Sequence, residues 1–533
     1  MRWLRAYRAA WLPGDLAAGL IVTVLVIPQS LAYAVLAGLP PQMGLYASIL
    51  PLVAYALFGT SMTLAVGPVA ILSLMTATAL APLAAPGTPE YLALAVLLAA
   101  LSGAMLAAFA ALRLGFIAQF LSQPVVAGFL SGAAILIIAS QLRPLLGIPA
   151  GGGPFELDPV TAAIGVTTLG FLWAARAFVP GLAGRLAPMV AIVAATALTA
   201  GLALDVRVVG DVPAGLPALA VPVPTWQAVQ TLWLPALLIS LVGFVESISV
   251  ARSLGGKRGE RIAPDRELLG LGAANLASAA SGGFPVTGSF ARSVVNFAAG
   301  AHTPLSGVVS ALVMAGVLAG LTGALYFLPH AVLAATIIVA VSSLIEWHVL
   351  RETWRYDRGD AAALLATALG VLALGVEEGV IVGVALSLGL ILWRASRPRI
   401  AVLGRIPGTE HFRNVERHEA ETVPGLLALR VDESLFFGNA AAVQAGVEQA
   451  LAARPGTRRL LLILSAVNHI DATALAMLTE LERDLAGRGV TLYLAEVKGP
   501  LMDRLAPTEL GQRLRERIFL SAHQACLALG AAG

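Results

Sequence analysis

The chain has 533 residues, of which 58% are hydrophobic and only 12% charged, and its mean hydropathy is +0.84. Soluble domains run at about 25% charged, so an ordinary soluble protein is excluded, as are disorder, a collagen-like fibre and a disulfide scaffold. The single cysteine, Cys526, has no partner within the chain, and a net charge of +3 offers no footing for nucleic acid.

Charge is spread unevenly. From Ser396 onward there are 16 Lys/Arg and 15 Asp/Glu, which puts nearly half of the charge in the last quarter. The last apolar run ends in the basic stretch Arg394-Ala-Ser-Arg-Pro-Arg399. We therefore expect a membrane domain over 1–400 and a solvated domain over 401–533.

About 20 helical residues cross a hydrocarbon core of roughly 30 Å. Apolar runs on that scale predict spans at 15–37, 44–58, 68–83, 91–112, 116–139, 161–177 and 187–204. After a polar, proline-rich loop, seven more follow at 232–250, 267–280, 289–300, 303–321, 324–343, 361–374 and 379–393. Pro28, Pro124 and Pro235 interrupt some of them. Asp15 follows the basic start and no small-residue cleavage site ends the first run, so that segment is expected to stay in the mature protein.

The distribution of basic residues sets the orientation. With Arg2, Arg5 and Arg8 on the cytoplasmic side, loops after even-numbered spans carry Arg113, then Arg176 and Arg185, then Lys257, Arg258, Arg261 and Arg266, then Arg351, Arg355 and Arg358. The other loops carry Arg143 and Arg207 beside Glu90, Glu156, Asp158, Asp205, Asp211, Glu377 and Glu378. Both termini are then cytoplasmic. Splitting the spans at the central loop gives repeats over about 12–204 and 230–395. Seven spans per half force the second to insert upside down, which is the plan of secondary transporters. The third segment opens at Gly67-Pro-Val-Ala70 and the tenth at Gly282-Gly-Phe-Pro-Val-Thr-Gly-Ser289. These are equivalent positions in the two halves, both short and both interrupted by Gly and Pro. Such a pair of broken helices points to a binding site at mid-membrane.

Beyond residue 400, Leu426–Val431, 459–464 and 490–495 read as strands. They alternate with helices that Asn439 and the stretch Ile470-Asp-Ala-Thr473 can cap. This is a small α/β domain. It has no P-loop or Gly-rich dinucleotide motif, which argues against ATP-driven transport.

Ionisable residues deep in a span default to function. Glu246 lies well inside the eighth span, where low dielectric disfavours its charged form and suits it to proton exchange. It could equally ligate Na⁺, or be a structural carboxylate. Arg292 lies three residues past Ser289. If the tenth segment is a half-helix beginning at mid-membrane, its free N–H groups, its dipole and Arg292 together make an anion site without a metal. The competing reading pairs Arg292 with Glu246 as a structural ion pair. Pro28-Gln29-Ser30 is expected to break the first span and turn the Gln29 amide toward the cavity. Val69, Ala70 and Ser73 would offer backbone N–H groups and a hydroxyl. Glu377 and Glu378 lie at an outer boundary and read as solvated, and His302 and His330, also near span ends, read as interfacial. No His/Cys cluster or catalytic triad is present, so no enzyme activity, metal or cofactor is expected.

Several long stretches resemble the sulfate permeases (SulP anion transporters). Pro28-Gln-Ser-Leu-Ala-Tyr-Ala-Val-Leu-Ala-Gly-Leu-Pro-Pro-Gln-Met-Gly-Leu-Tyr-Ala47, followed by Phe58-Gly-Thr-Ser61, is similar to the family's N-terminal signature. Gly67-Pro-Val-Ala70, Ser122-Gln-Pro-Val-Val126 and Gly128-Phe-Leu-Ser-Gly132 are also family-like. Phe284-Pro-Val-Thr-Gly-Ser-Phe-Ala-Arg-Ser-Val-Val-Asn296 resembles its tenth-segment motif.

The resemblance implies an α-helical polytopic fold of about fourteen spans, built as two inverted seven-helix repeats and divided into core and gate domains. It also implies a C-terminal cytoplasmic STAS domain and a homodimer. An anion site is implied between the ends of the third and tenth helices, facing the first and eighth. Gln29, Val69, Ala70, Ser73, Ser289, Phe290 and Arg292 would bind substrate, and Glu246 would carry the coupling ion. Family members often have Ser before the tenth-helix Arg; here it is Ala291, so one hydroxyl is missing. STAS domains resemble anti-sigma-factor antagonists, whose phosphorylated Ser corresponds to Thr473. The stretch Asp471-Ala-Thr-Ala474 departs from Asp-Ser-Ser-Gly, which favours a plain N-cap.

The expectation is a proton-coupled symporter of sulfate or a small dicarboxylate. The alternatives are a Na⁺-coupled bicarbonate symporter, an anion exchanger or channel, a nucleobase permease, and a membrane-anchored STAS signalling protein. Its partners would be the anion, H⁺ or Na⁺, the lipid bilayer, a second copy of the chain and a cytoplasmic partner of the STAS domain. Only Lys257 and Lys498 are lysines. That arginine-rich composition suits a GC-rich bacterial genome and a bacterial cytoplasmic membrane.

Overall fold

The computed structural model describes residues 2–119, 122–149, 157–181, 184, 186–213, 215–217, 219, 225–320 and 322–530. Two compact units emerge, Met1–Ser387 and Leu388–Gly533. Glu156, Arg185 and the side chain of Glu377, named above, lie outside the described residues.

As far as residue 395, a little past the end of the first unit, the chain forms α1 (Leu12–Leu36), α2 (Pro41–Tyr46), α3 (Leu50–Phe58), β1 (Val66–Gly67), α4 (Ala70–Leu80), α5 (Pro89–Ala111), α6 (Gln123–Leu146), α7 (Pro159–Phe178) and α8 (Ala187–Gly201). After the central loop come α9 (Trp226–Gly256), α10 (Pro264–Ala280), β2 (Thr287–Gly288), α11 (Phe290–Ala298), α12 (Leu305–Gly320), α13 (His330–Ser342), α14 (Trp347–Tyr356), α15 (Arg358–Leu374) and α16 (Val376–Ala395). Among the described residues, eight helical stretches are long and apolar enough to cross a membrane, and α4, α8 and α12 are apolar but shorter. Leu20, Val193, Leu312 and Leu369 each expose more than half of their surface. Such side chains are a liability in water and ordinary against lipid.

Three expectations about prolines need correction. Pro28 does not break the first span, because α1 runs without interruption from Leu12 to Leu36. Pro235 likewise sits inside an unbroken α9, and Pro124 falls in the first turn of α6, where its missing N–H costs nothing. In a membrane helix, neighbouring groups re-satisfy the one carbonyl that a proline frees. The segment that does break is the second. It divides into α2 and α3, with Pro51 in the first turn of α3, as expected where proline disfavours helix in the residue before it.

The centre of the unit is a two-stranded contact. β1 pairs antiparallel with β2, with Val66 opposite Gly288 and Gly67 opposite Thr287. Because the strands run in opposite directions, α4 and α11 leave this contact in opposite directions. Inverted repeats produce this arrangement at mid-membrane. α1 and α9 each pack against both half-helices.

Two carboxylates tie the halves together. Asp15 and Glu267 are 0% exposed, and each accepts from a loop of the other half. Asp15 takes the amides of His302 (2.7 Å) and Thr303 (3.0 Å) and the Thr303 hydroxyl (2.7 Å). Glu267 takes the Tyr55 hydroxyl (2.6 Å), the amides of Thr60 (2.7 Å) and Ser61 (3.0 Å), and the Thr60 hydroxyl. The first of these loops follows α11 and the second leads into β1, so both hold chain that flanks the half-helices.

The second unit is a six-stranded sheet of β3 (Ile400–Arg405), β4 (Phe412–Asn414), β5 (Leu426–Val431), β6 (Arg459–Ile463), β7 (Thr491–Ala495) and β8 (Ile518–Phe519), in the order β4-β3-β5-β6-β7-β8. β5 to β8 are parallel, and β3 pairs antiparallel with both β4 and β5. Helices α17 (Ala440–Ala452) and α18 (Ala472–Gly487) cover the face that carries Leu427, Leu429 and Val431. Ala522, Ala525 and Cys526 cover the face of Leu426 and Ala428. Burial there pushes the Cys526 thiol up to about 11, which makes it inert. Asn439 stands at the start of α17, but its side chain faces away from that helix. It accepts from the Phe436 amide (3.0 Å) and donates to the Ser434 (2.8 Å) and Ala395 (3.1 Å) carbonyls. Backbone groups of the β5–α17 connection outcompete the helix end for it.

Replacing Glu267 tests the cross-tie. Glu267→Ala leaves four donors without an acceptor, each costing about 1–3 kcal/mol. The thermal midpoint in detergent should therefore fall sharply, and Glu267→Gln, which keeps one acceptor oxygen, should fall less. Equal midpoints for Ala, Gln and wild type would contradict the tie.

Candidate functional site

Short helices must have their ends satisfied by something. Thr88 caps α5, Asp158 caps α7, Thr225 caps α9 and Asp357 caps α15, each with a side-chain oxygen on a first-turn amide. At α4 and α11 the N-cap positions are Val69 and Ser289, and neither side chain caps its helix. The first backbone bonds are from Ser73 to Val69 and from Ser293 to Ser289, both 3.0 Å. The amides of Ala70, Ile71 and Leu72, and of Phe290, Ala291 and Arg292, therefore have no acceptor among the described residues. Two bare, positive helix ends meet at the centre of the unit.

Arg292 stands one turn inside α11. It is 1% exposed and heads the fully buried side chains by size, yet among the described residues none of its three guanidinium nitrogens has a hydrogen-bond partner. The group lies flat against Gly67, where an added Cβ would stand 3.2 Å from Nη1 and 3.3 Å from Nη2. The absence of a side chain at Gly67 makes room for the charge.

The surrounding frame is rigid. The amide of Asn275 brackets Val286, accepting from its N–H (2.9 Å) and donating to its carbonyl (2.8 Å). Thr287 donates to the Gly243 carbonyl (2.6 Å), and the Ser247 hydroxyl accepts from the Gly288 amide (2.8 Å). Ser289 donates its amide to the Ala65 carbonyl (3.0 Å), and the Ala65 amide donates to the Ser293 hydroxyl (2.9 Å). Both halves of the contact are thus stitched to each other and to α9.

Glu246 precedes Ser247 on α9. Its Oε2 is buried without a donor, as is Gln29 Oε1 on α1. Arg292, Glu246 and Tyr33 lie within electrostatic reach of one another. The ion-pair reading of Arg292 is not met in this conformation, because the guanidinium makes no hydrogen bond to Glu246 or to any other group. Ser73 is fully buried and donates back to the Val69 carbonyl (2.8 Å), so its proton is committed to its own helix. Val69 and Ala70 are buried and contribute backbone alone. Ser289 is half-buried, while Phe290 and Ala291 are exposed and line the open side of the helix end.

Tyr33 was not picked out from the sequence. It is four residues after Gln29 and so shares a face of α1 with it. That spacing was the available signal, and the tyrosine is ordinary without the knowledge that Arg292 stands opposite. A buried, unpartnered guanidinium beside six free amides is an array of donors lacking an acceptor. Such an array is chemically suited to an anion.

Thr473 lies apart, in the second unit. It is exposed in the first turn of α18, whose cap is Asp471, accepting from the amides of Ala474 (2.8 Å) and Phe437 (2.7 Å). The Ala474 amide, with help from Phe437, Thr473 and the charge of His469, holds the Asp471 carboxyl below its usual range. A carboxyl depressed by folding stabilises above its ordinary value of about 3.9, and that stability is lost as pH falls through the lower folded value. Protection of the Ala474 amide, its hydrogen exchange measured against the intrinsic rate at each pH, should therefore fall on acidification below about pH 4. Asp471→Asn, which also caps, should flatten that response, and an unchanged acid response in the Asn variant would contradict the cap.

Comparison with known proteins agrees with this geometry. The profile of the sulfate permease family matches residues 12–367, and that of the STAS domain matches 417–525. A "Probable sulfate transporter" of Mycobacterium tuberculosis is 35% identical over 540 residues, covering 97% of this chain and 95% of the relative. "Sulfate transporter 4.1, chloroplastic" of Arabidopsis thaliana is 33% identical over 98% of this chain and 81% of its own length. In fold, the chain matches murine Solute Carrier 26 family member A9, an anion transporter solved in the inward-facing state. There the TM-score is 0.90 at 22% identity over 100% of this chain and 93% of that one. The transmembrane domain of a cyanobacterium bicarbonate transporter matches 71% of this chain and 98% of its own at TM-score 0.63 and 27% identity. Long helical spans, an inverted pair of half-helices and a terminal α/β unit accompany these matches, and the chain belongs to the sulfate permease family of anion transporters.

Proposed function

We propose that the chain is a secondary active symporter that carries a small anion, sulfate or a small dicarboxylate, together with a proton by alternating access. The carrying observation is Arg292, buried with all three nitrogens unpartnered between two uncapped helix ends. The sulfate named for the relatives supports the substrate class. The anion's oxygens would take the guanidinium and the free amides, with Gln29, Tyr33, Ser289 and Phe290 bounding the site.

Glu246 supplies the coupling. An anion beside a second negative charge in low dielectric is repelled by several kcal/mol, on the order of a close like-charge pair. A proton on Glu246 removes that repulsion, so anion and proton enter together. A carboxylate oxygen with no donor suits a group that is protonated in the loaded state. Na⁺ held by the same carboxylate, with bicarbonate as the anion, is the second reading, and the likeness in fold to a bicarbonate transporter bears on its anion.

In this reading the transport domain spans 1–400 and the STAS domain 401–533. Two chains form a homodimer in a bacterial cytoplasmic membrane, with both termini cytoplasmic, as the basic loops support. Thr473 is open to a kinase, and a phosphate there would lie on the helix dipole but beside the Asp471 carboxylate.

The test is uptake of labelled sulfate, bicarbonate, chloride, fumarate and succinate into proteoliposomes under no gradient, an inward H⁺ gradient or an inward Na⁺ gradient. Accumulation driven by H⁺ alone is expected, and accumulation driven by Na⁺ alone would recast Glu246 as a sodium ligand. Glu246→Gln should keep anion exchange and lose proton-driven accumulation. If that variant still concentrates the anion under a proton gradient, the coupling assignment is wrong. Gly67→Ala should raise the half-saturating anion concentration about tenfold or more by displacing the guanidinium. An unchanged half-saturation there would separate Arg292 from the substrate.

A further inference from the structure

The four basic side chains between α9 and the first turns of α10 are not alike. Lys257, Arg261 and Arg266 are exposed, whereas Arg258 is half-buried and holds α11 at two points. Its Nη1 donates to the Ala301 carbonyl at 2.5 Å, and its Cζ stands 4.2 Å from the centre of the Phe297 ring. Phe297 lies in the last turn of α11. Ala301 closes the turn that ends it, with its amide on the Asn296 carbonyl (3.1 Å) and Gly300 between them at φ +93°.

α11 is only nine residues long, too short to hold itself in place. Its tilt and rotation are therefore set by what grips its ends. At the N-terminal end the grip comes from Ala65 and Ser247. At the other end the carbonyls carry the negative pole of the helix dipole, where a cation is favoured. Arg258 supplies that cation. Its place over the face of the Phe297 ring restrains rotation about the helix axis more than a charge in solvent would. The Asn296 side chain, donating to the Thr63 carbonyl at 3.0 Å, anchors the same helix to the loop before β1 but not to α9. Arg258 follows α9 by two residues, and α9 runs unbroken from Glu246 to its end. One arginine therefore joins the end of the helix bearing Glu246 to the end of the helix bearing Arg292.

We propose that Arg258 is a positioning residue for the anion site: by clasping α11 to the end of α9 it sets Arg292 against Gly67 and within reach of Glu246. The clasp rests on the reading of Arg292 as the anion site. It touches neither anion nor proton and acts through α11.

Initial rates of labelled sulfate uptake into proteoliposomes, as a function of sulfate concentration, test it with the full-length protein. Arg258→Ala should raise the half-saturating concentration about tenfold, the scale of a slightly misplaced binding group, with a much smaller change in maximal rate. Phe297→Leu, which removes the stack and keeps the hydrogen bond, should shift half-saturation in the same direction by less. Arg258→Lys should recover part of the loss, because it keeps charge and donor without the planar stack.

Thermal midpoints in detergent separate this from simple unfolding. If Arg258→Ala does not fold, the Lys and Leu variants decide. Arg292→Ala is the control for the underlying site. Should it abolish saturable uptake while the Arg258 and Phe297 variants keep wild-type half-saturation, the clasp is wrong and the anion site stands. Should Arg292→Ala keep wild-type half-saturation, the anion site fails and the clasp falls with it. A lower maximal rate with unchanged half-saturation in the Arg258 variants would also overturn the proposal.

Discussion

A guanidinium taken out of water and given no hydrogen-bond partner costs several kcal/mol, and among the described residues of the first unit Arg292 is in that condition. Its nitrogens meet no acceptor, its neighbours are bare helix amides, and Gly67 is cut back to let it lie flat. The rest of the unit offsets that cost. Asn275, Thr287, Ser247 and Ser293 satisfy the backbone around the strand contact. Asp15 and Glu267 satisfy the loops beyond it. A ligand of opposite charge is then worth more here than at any exposed arginine, because the desolvation has already been met by folding.

The same logic explains why the polar residues divide into two kinds. Some in the frame are saturated: Asn275 uses both ends of its amide, and Ser73 turns its proton back into α4. Those facing the helix ends are left open, including Gln29 Oε1, Glu246 Oε2 and every nitrogen of Arg292. A fold seeking stability alone would pair these groups with one another. Their separation leaves a cationic group and a carboxylate available near one another, which is what the proposed symport requires.

Much of this was legible before any coordinates. The Gly- and Pro-interrupted openings at 67–70 and 282–289 announced broken helices, since residues that neither cap nor propagate a helix in the middle of an apolar run need a reason. Arg292 stood out because charge inside a span is expensive. What escaped was long-range. Asp15 and Glu267 read as span boundaries, although their partners lie 288 and 207 residues away in the chain and bury them fully. Tyr33 carried no mark of its own until α1 was laid against α11. Pro28 suggested a break that the surrounding helices prevent. In the second unit, β4 and β8, only three and two residues long, were too short to show periodicity and needed the sheet beside them to become strands.

The central claim is that Arg292 is held unpaired for an anion. Equilibrium binding of labelled sulfate to the purified, detergent-solubilised protein addresses it without requiring transport, by comparing wild type with Arg292→Ala of equal thermal midpoint. Saturable binding to wild type, displaced by unlabelled sulfate and lost in the variant, is the predicted result. Saturable binding of equal affinity to both would contradict it and would move the anion away from the half-helix contact.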